Sequence, residues 1–136
     1  MYYMRYMGID YGSKRVGVSL SDENGRMAFP KGVIPNNRYL MGEIKDICKG
    51  HKVEKVIVGE SRDFNMNENP VFKDARFFAA EVGRDTGLPV EFEPEFLTSH
   101  EAERTNHTLG GNNPFLDASA ATIILQSYLD KIKNQE

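Results

Sequence analysis

The chain has 136 residues, 40% of them apolar and 27% charged, which suits one domain with a substantial core and excludes disorder or a fibrous repeat. A net charge of −3 lacks the basic footprint of a non-specific nucleic-acid coat, so any polyanion contact must be local. The single cysteine, Cys48, excludes an internal disulfide framework and a cysteine-based zinc site; with no run of signal-peptide or membrane-span length, a cytoplasmic protein with no membrane partner is expected.

Residues 7–20 read as a strand, a tight turn and a second strand. Tyr6, Gly8 and Asp10 alternate with Met7 and Ile9, Gly12 and Ser13 supply turn chemistry, and Val16, Val18 and Leu20 then alternate with Gly17 and Ser19. An apolar strand therefore ends in a carboxylate, Asp10, which is costly to bury unless paired or bound to a metal. Gly8, Gly12 and Gly17 let backbone or ligand approach closely, and Lys14 and Arg15 place two positive charges nearby. Together these residues suggest a site for a metal ion and a phosphate. The plainer alternative is a hairpin whose turn happens to be Asp-Tyr-Gly-Ser.

A second acid, Asp22, follows, and Asn24-Gly25 offers a hairpin turn into a third strand near residues 27–34, which Pro30 assigns to a sheet edge. Leu40, Met41, Ile44, Ile47 and Cys48 fall at helical spacing until Gly50. Residues 53–59 form a short apolar run suited to an interior parallel strand, and it ends in Glu60. After a polar stretch, Asn69-Pro70 reads as a helix cap followed by proline at the first helical position, with Val71, Phe72, Ala75, Phe78, Ala79 and Val82 on one face. A fifth strand is expected over residues 88–94.

Glu95 follows that strand, and Thr98 with Glu101 has capping-box spacing for a helix to about residue 106. His100 and His107 lie nearby without His-His-acid metal spacing. The last helix starts near Phe115, carries Asp117 in its first turn, and closes at Lys131 and Lys133, where positive charge suits a C-terminus.

Three antiparallel strands followed by two strand–helix units predict an α/β fold. The carboxyl ends of its parallel strands share one edge, where acids from separate elements can converge. Carboxylates meeting at one point repel unless a cation neutralises them. An all-oxygen site suits Mg²⁺ or Mn²⁺, and two such ions clamp the attacking and leaving oxygens of a phosphodiester. Metal-assisted phosphodiester hydrolysis is the expected chemistry.

The opening motif, residues 8–18 with Ser21-Asp22, and the closing one, residues 116–121 through 124–129, resemble those of the YqgF-type pre-16S rRNA nucleases, Holliday-junction-resolvase-like members of the ribonuclease H superfamily. The resemblance covers nearly the whole chain. It implies a single ribonuclease H-like domain over residues 1–136: a five-stranded mixed sheet, three antiparallel strands then two parallel, with helices on both faces. It also implies Asp10, Glu95 and Asp117 as catalytic, metal-binding acids. Two positions depart from the family pattern. Pro94-Glu95-Phe96-Leu97-Thr98-Ser99 stands where the family has Asp-Glu-Arg-Leu-Thr-Thr, keeping Glu95 and Thr98 but losing an arginine suited to phosphate. Val58-Gly59-Glu60-Ser61 replaces Val-Gly-Leu-Pro, and Glu60 is a candidate fourth ligand or outer acid.

Gly12, Ser13, Lys14, Arg15 and Thr98 are the candidate substrate-binding residues. The expected partner is nucleic acid, as precursor ribosomal RNA or branched DNA. The expected function is processing of the 5′ end of precursor 16S rRNA by a monomer or homodimer. A Holliday-junction resolvase and a non-catalytic binding factor of the same fold are the alternatives. A third reading, the phosphate loop of an actin- or sugar-kinase-type ATPase, requires a second domain for which this length has no room.

Overall fold

The computed structural model describes residues 4–60, 70–94 and 114–134. Its elements are β1 (Tyr6–Tyr11), β2 (Arg15–Ser21), β3 (Ala28–Pro35), α1 (Leu40–Gly50), β4 (Lys55–Glu60), α2 (Pro70–Thr86), β5 (Val90–Pro94) and α3 (Pro114–Lys133). The helix expected over residues 98–106 lies outside the described residues.

The strands form one sheet in the order β3-β2-β1-β4-β5. β1 pairs antiparallel with β2, and β2 with β3. On its other side β1 pairs parallel with β4, and β4 with β5. β3, with Pro30, is an edge strand as its proline requires, and its register slips beside Pro30. The connection to β3 is wider than a two-residue Asn-Gly turn. Asp22 Oδ1 accepts the backbone N–H groups of Arg26 (2.8 Å) and Met27 (3.2 Å), and Gly25 takes φ +68°. The short side chain of Asp22 thus satisfies the loop's donors.

Strand alternation sorts the side chains into two layers. Met7 and Ile9 of β1, Val16, Val18 and Leu20 of β2, and Val56 and Val58 of β4 pack under Leu40, Ile44 and Cys48 of α1 and Phe78, Ala79 and Val82 of α2. On the other face Tyr6, Ala28 and Ile57 pack against Ile124, Leu125, Tyr128 and Leu129 of α3. Each of the valine, leucine, isoleucine, methionine and phenylalanine side chains among them contributes about 1.5–3 kcal/mol when fully removed from water. β4 reads as a near-continuous apolar run because helices lie over both of its faces, whereas edge strand β5 alternates Val90 and Phe92 with Glu91 and Glu93. Among the described residues no helix is long and apolar enough to cross a membrane.

Candidate active site

β1 presents Tyr6, Gly8 and Asp10 to the α3 face by its alternation. At Gly8 the helix lies close against the strand. A Cβ there would lie 2.4 Å from Ser19 Oγ, 2.7 Å from Leu125 Cβ and 2.8 Å from the Ala121 carbonyl oxygen. The buried Ser19 hydroxyl donates to that same carbonyl at 2.8 Å, tying β2 to α3. Tyr6 meets Tyr128 at a ring separation of 5.9 Å.

Advancing along β1 from Tyr6 to Gly8 therefore moves the contact back along α3 from Tyr128 to Leu125 and Ala121. Two strand residues span about 6.6 Å and four helical residues about 6 Å, so the strides match. By the same strides, one further step along β1 to Asp10 corresponds on α3 to about position 117. Asp10 is half-buried at that place. The side chain of Asp117 lies outside the described residues.

Gly12, Ser13, Lys14 and Arg15 turn the chain from β1 into β2, and the side chains of Ser13, Lys14 and Arg15 are exposed. Gly12 is required here, since a Cβ would meet the Arg15 carbonyl oxygen at 2.5 Å. Asn36 clamps the turn: its Nδ2 donates to the Gly12 carbonyl (2.8 Å) and its backbone N–H to that of Lys14 (2.9 Å). The basic turn is thus held at the carboxyl end of β1, beside Asp10.

Of the other acids, Glu60 is described at this edge. Glu60 ends β4 in register with Pro94. Val56 and Val58 face α1 and α2, so alternation assigns Glu60 to that face, opposite Asp10. Glu95 directly follows β5, and it and Thr98 lie outside the described residues. Among the described residues no cluster of three or more His, Cys, Asp or Glu side chains could hold a metal ion; of Asp10, Glu95 and Asp117, Asp10 alone has a described side chain.

Two polar groups, one buried and one partly buried, carry no signature in the motifs above. Glu93 is only 3% exposed, accepts a hydrogen bond from Ser127 Oγ at 2.7 Å and pairs with Lys131 Nζ at 2.6 Å. Lys55 Nζ donates to Tyr128 Oη at 2.8 Å and pairs with Glu91 at 2.8 Å. Burial works against the Lys55 ammonium, but the bonds to Glu91 and Tyr128 outweigh it and raise its pKa; the bond from Lys55 chiefly holds the Glu91 carboxyl below its ordinary value. Both groups fasten edge strand β5 and its neighbour β4 to α3. A signal was present in the alternation of Glu91 and Glu93 along β5, which puts two acids on one face of a covered sheet.

A family model described as RuvX, Holliday junction resolvase, matches residues 4–131. The chain is 34% identical over 138 residues to a Streptococcus mutans protein provisionally named pre-16S rRNA nuclease, across 95% of this chain and 99% of that one. A Streptococcus pneumoniae protein of the same provisional name is 33% identical, across 94% and 99%. Among solved structures, Thermus thermophilus RuvC in complex with a Holliday junction substrate aligns with a TM-score of 0.62 at 16% identity, covering 96% of each chain. The fowlpox virus Holliday junction resolvase aligns with 0.56 at 13% identity, covering 94% of this chain and 99% of that one. The fold is the ribonuclease H-like fold of these resolvases.

Proposed function

This chain belongs to the RuvX family of nucleases, and from that membership we propose that it is a divalent-metal-dependent endonuclease that processes the 5′ end of precursor 16S rRNA. It is a hydrolase of phosphodiester bonds, as its family and its relatives' names indicate. The observation that supports the site assignment is the close seat of α3 on Gly8 and Ser19 through Leu125 and Ala121, from which the strides of strand and helix lead to Asp10 and toward position 117.

Asp10, Glu95 and Asp117 are the proposed ligands, a purely carboxylate set that fits Mg²⁺ or Mn²⁺. When bound, the ion neutralises these acids and withdraws charge from a phosphoryl oxygen. The protein supplies position. The Gly12 turn, clamped by Asn36, offers Lys14 and Arg15 to substrate phosphates, so a strand entering at this edge lies across the end of β1. Thr98 and Ser13 are further proposed phosphate contacts. Glu60 stands at the same edge with opposite parity, which supports an outer role in tuning the site's charge. Glu60→Gln is expected to weaken metal-dependent cleavage, and Asp10→Asn to abolish it.

The deciding experiment compares cleavage of a precursor 16S rRNA 5′ segment with that of a four-way DNA junction, in Mg²⁺ and in Mn²⁺, for wild type and Asp10→Asn. Metal-dependent RNA cleavage lost in Asp10→Asn supports the proposal. Binding of either substrate with no cleavage would convict it and leave a non-catalytic binding factor. A second reading, junction resolution, is favoured by the family description and by the fold. It requires symmetric cuts in two strands and hence a dimer, so a measured molecular mass accompanies the assay.

A further inference from the structure

On the opposite face of β1 from Asp10, at the same sheet edge, lies an open cleft of about 340 Å³ between the end of β1, the start of α1 and the middle of α2. Its floor is Tyr11, the residue after Asp10, with its ring 5.0 Å from that of Phe78. Phe77 forms a wall while 65% exposed. Arg38 stands on the rim, its guanidinium 4.9 Å from the centre of the Tyr39 ring and hydrogen-bonded to the Tyr39 hydroxyl at 2.7 Å. A half-exposed aromatic wall beside a stacked arginine is poor packing for a core but suits a planar, polar ligand.

We propose that this cleft receives one unpaired base of the substrate strand whose phosphate lies at Asp10, and that it favours a base carrying an exocyclic amine. The proposal rests on the nuclease reading above. Phe77 and Tyr11 supply stacking surface, and the volume accommodates a single nucleotide. Asp74 and Glu81, seven residues apart on one face of α2, are exposed and line the cleft on either side of Phe77. Two carboxylates repel a phosphate, which keeps the backbone at the rim with Arg38 and the turn of Lys14. They accept hydrogen bonds from the exocyclic amines of cytosine, adenine or guanine, whereas uracil has no such amine and offers carbonyl oxygens that carboxylates repel, with N3–H as its single base-edge donor. Asn36 joins the cleft to the site: it lines the one and clamps the turn of the other. A single strand crossing the end of β1 therefore meets both.

The test is fluorescence anisotropy of short single-stranded RNAs at low salt in EDTA, which separates binding from cleavage. An oligouridine carrying one adenosine or cytidine is compared with all-uridine and with one abasic position. Wild type is expected to bind the amine-bearing RNA tighter than the abasic one by between roughly fivefold and a hundredfold, the range of base stacking on aromatic side chains. Phe77→Ala removes that gap, and Arg38→Ala provides a second variant outside the helix. Asp74→Ala with Glu81→Ala removes the preference over uridine while keeping the preference over the abasic site. Equal affinity of wild type for all three RNAs, or a gap unchanged in Phe77→Ala, overturns the cleft. Base-dependent binding by a protein that cleaves neither substrate upholds the cleft and overturns the nuclease assignment instead.

Discussion

Replacing Gly8 with alanine drives a methyl group into the seam between the sheet and α3, where three atoms lie within 2.8 Å of its position. Two of them, Leu125 Cβ and the Ala121 carbonyl, belong to the helix and cannot rotate away. Relief comes only by lifting α3, and overpacking of this kind costs about 1–3 kcal/mol. Lifting the helix also stretches the bond between the Ser19 hydroxyl and the Ala121 carbonyl, now 2.8 Å long and fully buried, worth about 1 kcal/mol. Against this, alanine is favoured over glycine inside a strand by about 0.5–1 kcal/mol. The net expectation is a loss of about 2 kcal/mol, which for a chain of 136 residues lowers Tm by about 7 °C. Urea titration and a thermal melt measure both, and cleavage should fall more than stability alone explains, because α3 carries Asp117. A Gly8→Ala protein with the wild-type midpoint would refute the claim that tight seating of α3 on β1 positions the acids.

Glu93→Gln keeps an acceptor for Ser127 but discharges the pair with Lys131, and should cost about 1–2 kcal/mol in urea. An unchanged midpoint would show that β5 is held by its ladder alone. Glu91, whose folded pKa is depressed chiefly by the bond from Lys55, contributes stability that is complete above its unfolded value of 4.5 and is lost as pH falls through the folded value. Lys55→Met should accordingly narrow the difference in urea midpoint between about pH 5 and about pH 3; an equally steep fall would exclude the pair as its source. The effect is small because Glu91 is about half exposed. Burial pushes the Cys48 thiol up to about 11. A thiol reagent at about pH 8 should therefore label the native protein slowly and the urea-unfolded protein at once, and fast native labelling would contradict the buried placement.

Local pattern was enough to assign most elements of this fold. The alternation of Val16, Val18 and Leu20, the apolar run ending in Glu60, the proline that opens α2 and the proline that consigns β3 to an edge are each legible within a few residues, because backbone periodicity and proline geometry are local properties. Asp10, Glu95 and Asp117, the acids proposed as metal ligands, were named from motifs, and of the three Asp10 alone has a described side chain. Asp22 shows the limit of a motif. It follows the opening run, yet in the fold its carboxylate closes a loop.

What the chain could not show by itself was how distant segments meet. Gly8 and Ser19 meet residues about a hundred positions later, Glu93 is satisfied by Ser127 and Lys131, and Glu60 takes the opposite face from Asp10 only once β4 is set in register with β1. No local window contains those facts. The seat of a helix on a sheet and the register of a parallel pair are decided by side-chain packing between elements, and a shift of one residue along a strand exchanges its two faces.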